Sequence, residues 1–138
     1  MANSSPAQVY ALAIGSALVV TGVLGFFYNA SFGTGDGTER DAVLGILDVN
    51  GWLNVVHIAS GVVGLALVGS YGGARAYALG FGAVYLVVTL LGFLAGDGDE
   101  VLNLIPVNTE DNVLHLLIGL AGVGAGLATP STPAPSTA

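Results

Sequence analysis

Four stretches of the chain carry no charged residue: 7–28, 51–73, 76–96 and 112–129. A helix crosses a bilayer with about 20 predominantly apolar residues, within a range of about 17–25. The pattern therefore predicts four transmembrane helices, the fourth being the shortest. Small and polar residues recur inside these stretches at intervals of three and four, which on a helix form one stripe. In the second stretch the stripe is Asn50, Asn54, His57, Gly61 and Gly64; in the fourth it is Asn108, Asn112, His115, Gly119, Gly122 and Gly126. The first and third carry Ala11, Gly15, Leu18, Gly22, Gly25 and Ala78, Gly82, Tyr85, Thr89, Gly92. Small residues at this spacing let helix backbones approach closely in lipid.

The pattern repeats. Residues 7–26 align with 74–93 with nine identities in twenty, and 43–64 align with 101–122 with nine in twenty-two. Tyr, Phe, Asn and His match in order, which low-complexity apolar sequence does not produce by chance. The expected architecture is an all-α membrane protein, a four-transmembrane-helix bundle of two tandem two-helix repeats at about 7–70 and 74–128. An even number of helices per repeat makes both copies enter the membrane in the same direction. That gives a parallel repeat with a pseudo-two-fold axis along the membrane normal. One domain is expected over 1–129, followed by a disordered Pro/Ser/Thr/Ala tail at 130–138.

Composition agrees. Of 138 residues, 54% are hydrophobic and 8% charged, against about 25% charged in soluble domains. Too little polar surface remains to cover a water-soluble globule. The N-terminus lacks a basic region, so the first helix is expected to be retained. All nine acids fall in 36–48 and 97–111, against two arginines and no lysine, for a net charge of −7. Such a surface repels nucleic acid. Arg75 sits in the short turn between the second and third helices and places that turn in the cytoplasm. Both termini are then expected to be cytoplasmic and the acidic loops, 29–49 and 97–111, external, in a multi-pass protein of the cell membrane.

Shorter apolar pieces, "AVLGILDVN" and "EVLNLIPVN", precede the second and fourth helices. They suit interfacial or re-entrant segments, with Thr38 and Asp41 as a capping-box-like start to the first. Asn50 and Asn108 are N-cap candidates, and Glu110 and Asp111 follow in a first helical turn, where the dipole favours acids. Tyr10 and Trp52 read as interfacial anchors, and Tyr71 can join them.

The two histidines, His57 and His115, fall about 9 Å below their helix starts. They are expected at one depth, across the two-fold axis. Three readings follow. The first is a duplicated structural clamp, in which Asn and His hydrogen-bond across helices. The second is a b-type haem held between His57 and His115, with Asn54, Asn112 and Thr89 orienting the rings. Against it stand glycine-lined faces and the lack of an arginine at that depth for the propionates. The third is a solute or proton conduit in an oligomer, since intramembrane ionisable groups are functional candidates. No cysteine is present, which removes disulfides and thiolate chemistry. Two histidines alone make a poor zinc site, and the acids around "GDGDE" lack EF-hand spacing, so no metal is expected. No hydrolase, P-loop or zinc-protease motif occurs. The expectation is a non-enzymatic structural or accessory subunit. Its partners would be the bilayer and either another membrane protein or further copies of itself through glycine faces.

The segments "SPAQVYALAIG", "LDVNGWLNVVHIASGVVGL", "GGARAYALGFGAVYLV" and "LIPVNTEDNVLHLLIGLAG" resemble a family of small bacterial and archaeal membrane proteins known only as a domain of unknown function. The likeness covers about residues 5–128. It implies a four-helix integral membrane protein and carries no catalytic or binding residues with it. The long acidic first loop and the tail receive no family role.

Overall fold

The first helix starts where its local chemistry dictates. The Ser5 hydroxyl accepts from the Gln8 backbone N–H, the Gln8 side chain accepts from the Ser5 N–H, and Pro6 supplies a preset φ at the first helical position. In this computed structural model, which describes residues 4–96 and 98–132, helix α1 runs Pro6–Tyr28, α2 Gly51–Leu67, α3 Tyr71–Ala95 and α4 Thr109–Ala128. Three of them, α1, α3 and α4, are long and apolar enough to cross a membrane. Helix α2 has 17 residues, about 26 Å at 1.5 Å per residue. The shortest helix is thus the second and not the fourth. Helix α4 takes in Glu110 and Asp111 because the Asn108 cap lies ahead of them.

The segments read as interfacial or re-entrant pieces form antiparallel hairpins. Strands β1 (Asp41–Val43) and β2 (Leu47–Val49) pair, as do β3 (Asp99–Val101) and β4 (Ile105–Val107). Each turns through two residues of positive φ, Leu44 and Gly45 in the first and Leu102 and Asn103 in the second. Such a turn matches the right-handed twist of its strands. Asp41 therefore opens a strand, and Thr38 follows a single 3-10 turn at Gly35–Gly37 rather than capping a helix.

The hairpins are stitched to one another. Asn50 Nδ2 donates to the Leu104 carbonyl at 2.6 Å, and Asn108 Nδ2 donates to the Ile46 carbonyl at 2.8 Å. The same two asparagines cap α2 and α4 through their oxygens, as their positions predict. Arg40 reaches Asp48 at 3.7 Å and Glu100 at 3.5 Å, so both acidic segments meet at one end of the bundle. The first loop folds back over the start of α2, where the Trp52 indole donates to the Gly33 carbonyl.

Below the hairpins, α1 packs along α2 and α3 along α4. Helices α1 and α3 also touch each other, and α2 and α4 sit on opposite flanks. The residues of all four stripes are buried, except that Asn108 at the head of the fourth is half-buried. Added side-chain atoms at Gly15 would meet the Gly61 carbonyl, and at Gly82 the Gly119 carbonyl. The glycine faces are thus used inside the chain. Ala7, Tyr10, Ala11, Ala74, Tyr77 and Ala78 form the core at the opposite end from the hairpins. Tyr10 is therefore a core residue, its hydroxyl donating to the Ile118 carbonyl, and not an interfacial anchor. Thr129 closes that end, accepting from the Ala7 N–H while its carbonyl accepts from Arg75. The disorder expected for 130–138 falls, beyond residue 132, outside the described residues, as does Asp97. The outer surface is apolar, with Val20, Phe27, Val62, Val84, Leu90, Leu117 and Leu120 among its exposed side chains.

Candidate functional site

Asparagine and histidine share each stripe but have different surroundings. The Asn54 carboxamide lies against Gly25, where a Cβ would overlap it, and Asn112 lies against Gly92 in the same way. Asn54 Nδ2 donates to the Asn29 carbonyl at 2.8 Å, tying the end of α1 to α2. The carboxamide oxygens of both residues have no partner among the described residues.

One turn deeper, His57 and His115 are 7% and 4% exposed and line a common cavity of about 170 Å³. Its walls are Ile14, Leu18 and Thr21 of α1, Tyr85 of α3, and Leu114 and Ile118 of α4. Leu47, Asp48 and Val49 of the first hairpin and Asp111 of α4 form its roof. The roof is fixed by the Asp111 carboxylate, whose Oδ2 accepts from the Asp48 N–H at 3.0 Å and the Asn108 N–H at 3.2 Å. The His115 ring meets the Tyr85 ring edge-on, centroids 5.1 Å apart at 87°. From Tyr85 the aromatic contacts continue through Phe81 and Tyr77 to Tyr10.

Neither imidazole makes a hydrogen bond through Nδ1, which in each is buried without a partner among the described residues. Thr89, a candidate partner on sequence grounds, donates to the Tyr85 carbonyl one turn back on its own helix. A serine or threonine buried in a helix commonly satisfies its hydroxyl this way. Thr89 thus supports Tyr85, and Tyr85 in turn contacts His115. Asp48 and Asp111, read from sequence only as loop and first-turn acids, are the site residues that reasoning missed. Asp111 precedes His115 by four residues on one helix face, a signal that was available. Among the described residues no group of three His, Cys, Asp or Glu side chains is gathered to hold a metal ion.

No curated protein and no solved structure matches the chain. A family model does, over residues 8–128, which spans both hairpins, all the stripes and both histidines: the chain belongs to the family described as Domain of unknown function (DUF4383).

Proposed function

We propose that this is a four-span integral membrane protein built from two tandem hairpin repeats, acting as a structural or accessory subunit without catalysis of its own. The observation that carries the reading is reciprocity. The Asn50–Leu104 bond and the Asn108–Ile46 bond join positions that the 58-residue shift exchanges, and the Tyr10–Ile118 and Tyr77–Ser60 bonds are exchanged in the same way, the tyrosines by the 67-residue shift and their acceptors by the 58-residue shift. A pseudo-two-fold axis along the membrane normal generates such pairs. These two asparagines and two tyrosines are thereby spent on the chain's own carbonyls, which favours a scaffold. Helix α2, at 17 residues, sits at the lower limit for a span and lies alongside α1, which has 23. The remaining length can be met by local thinning of the bilayer. A cavity of about 170 Å³ is below the roughly 300–1,000 Å³ of drug-sized pockets. That weighs against a porphyrin between the histidines. Its closed roof weighs against a conduit.

The termini and the α2–α3 turn are assigned to the cytoplasm and the acidic hairpins to the exterior. The chain has no cysteine, so single-cysteine variants report position cleanly. Asp36→Cys is expected to react with a membrane-impermeant maleimide on intact cells, and Gly69→Cys only after permeabilisation. Equal labelling of both from outside would mean that α2 does not cross. Native mass spectrometry directly from membranes is expected to give a species heavier than one chain. A solitary chain under those conditions would sink the accessory role.

A further inference from the structure

We infer that the histidine cavity binds a lipid-soluble molecule with a single ring and carbonyl acceptors on its edge, the chemical class of a quinone head group. Four observations converge on that class. The first is size. A dry cavity of about 150 Å³ lined by aliphatic and aromatic side chains holds benzene, so about 170 Å³ accommodates one substituted ring and no more.

The second is polarity. Most of the wall is aliphatic, but two imidazoles more than nine-tenths buried border it from opposite flanks of the bundle, on α2 and α4. Their Nδ1 atoms are occluded and unpartnered, which leaves Nε2 as the nitrogen facing the cavity. A buried N–H without an acceptor is costlier than an unmatched lone pair. The favoured tautomer therefore carries its proton on Nε2. Two N–H donors approaching from opposite sides call for a ligand with acceptors on opposite edges, and a ring bearing two carbonyls supplies them.

The third is access. Asp111 holds Asp48 over the cavity and closes it toward the hairpins. Laterally the lining reaches the surface between α1 and α4, where Ala17 and Leu114 are exposed. On the four-span reading, on which this step rests, that opening faces lipid, and an alkyl tail would leave through it.

The fourth is asymmetry. The 67-residue shift puts Phe81, Tyr85 and Val88 in place of Ile14, Leu18 and Thr21. On the α2–α3 side, Phe81 and Tyr77 line a shallow groove that contains no histidine. The smaller side chains of α1 open the space that both histidines share.

The test uses the full chain in lipid nanodiscs and isothermal titration with a benzoquinone carrying a short alkyl tail. The matching alkylbenzene, which lacks oxygens, is the comparator. The quinone is expected to bind at one per chain, at least tenfold tighter than the alkylbenzene. Ile14→Phe, which copies the second half, is expected to weaken quinone binding tenfold or more with helix content and melting temperature unchanged. His57→Gln and His115→Gln are each expected to weaken the quinone more than the alkylbenzene. Equal affinity for the two probes, the absence of saturable binding, or quinone binding indifferent to Ile14→Phe would each overturn the inference. The topology labels described above are read independently, so failure here leaves the four-span assignment standing.

Discussion

The first helix pair, α1 with α2, and the second, α3 with α4, agree in their tyrosine and asparagine contacts and differ beside the cavity. Tyr10 and Tyr77 each reach a carbonyl in the opposite half, and Asn50 and Asn108 each reach the other hairpin. Gly25 and Gly92 each leave room for an asparagine. By contrast Ile14, Leu18 and Gly22 stand opposite Phe81, Tyr85 and Thr89. A contact made in both directions across an axis constrains both copies. A position beside a lateral groove is constrained only by what fills the groove. The comparison thus separates residues that hold the bundle from residues that shape its interior.

The sharpest way to break the comparison is at the glycines under the asparagines. Gly25→Val and Gly92→Val push a side chain into a buried carboxamide. Overpacking of this kind costs about 1–3 kcal/mol, and both are expected at the upper end because the displaced group is polar and enclosed. Unfolding measured by steric trapping in bilayers should give equal losses for the two. A loss confined to one half would show that the asparagines are not equivalent. Next come the crossing caps. Asn50→Ala removes a helix cap worth about 1 kcal/mol and a cross-hairpin hydrogen bond worth about 1 kcal/mol. Asn108→Ala removes the same pair. Each should cost about 2 kcal/mol, and the double variant should depart from additivity by about 0.5 kcal/mol or more, because both bonds hold one hairpin interface.

Asp111 sharpens the comparison from the other side. The 58-residue shift puts Leu53 in its place, so Asp111→Leu makes the second half resemble the first. It removes the acceptor from the Asp48 and Asn108 N–H groups. A loss of about 1–2 kcal/mol is expected, the cost of a part-buried donor left unmet. Hydrogen exchange should quicken at the Asp48 amide before any global loosening. Exchange unchanged at Asp48 would mean that the roof is held by packing instead.

The stripes were legible in sequence because a helix face has a period, and small residues at that period have few other uses in lipid. The caps were legible because both copies of the repeat place an asparagine, a favoured cap residue, ahead of the helix. The hairpins were not. A hairpin turn with two positive-φ residues normally announces itself with Asn-Gly or Gly, and here Leu44 and Leu102 occupy the first of those positions at φ 55° and 57°. Both leucines are about three-quarters exposed, at 78% and 74%, so burial does not explain them. The left-handed conformation costs a non-glycine residue about 1–2 kcal/mol. Leu44→Gly and Leu102→Gly are therefore each expected to stabilise the fold, by about 0.5–1 kcal/mol once the added backbone entropy is deducted. The cavity was half legible. Both histidines were visible and their common depth followed from the repeat. The unpartnered Nδ1 atoms and the carboxylate roof depend on tertiary contacts that no spacing encodes.

The smallest expected effect belongs to a feature of the first half alone. The 67-residue register shift falls to 58 because the first loop is longer, and that loop carries Arg40, which bridges Asp48 and Glu100 at 3.7 and 3.5 Å. Its side chain is one-third exposed, and ion pairs of this kind contribute about 0–1 kcal/mol. Asp36, Glu39 and Asp41 lie near it in the chain. Removing the one positive charge leaves their repulsion uncompensated as well as breaking the bridge. Arg40→Gln is thus expected to cost under about 1 kcal/mol, with the loss largest at low ionic strength. At 1 M salt, where the screening length is about 3 Å, the variant and the parent should unfold together. A penalty that persists at high salt would mean that the arginine stem packs between the hairpins. The longer loop would then be a structural bridge joining the halves, and the charge at its tip incidental.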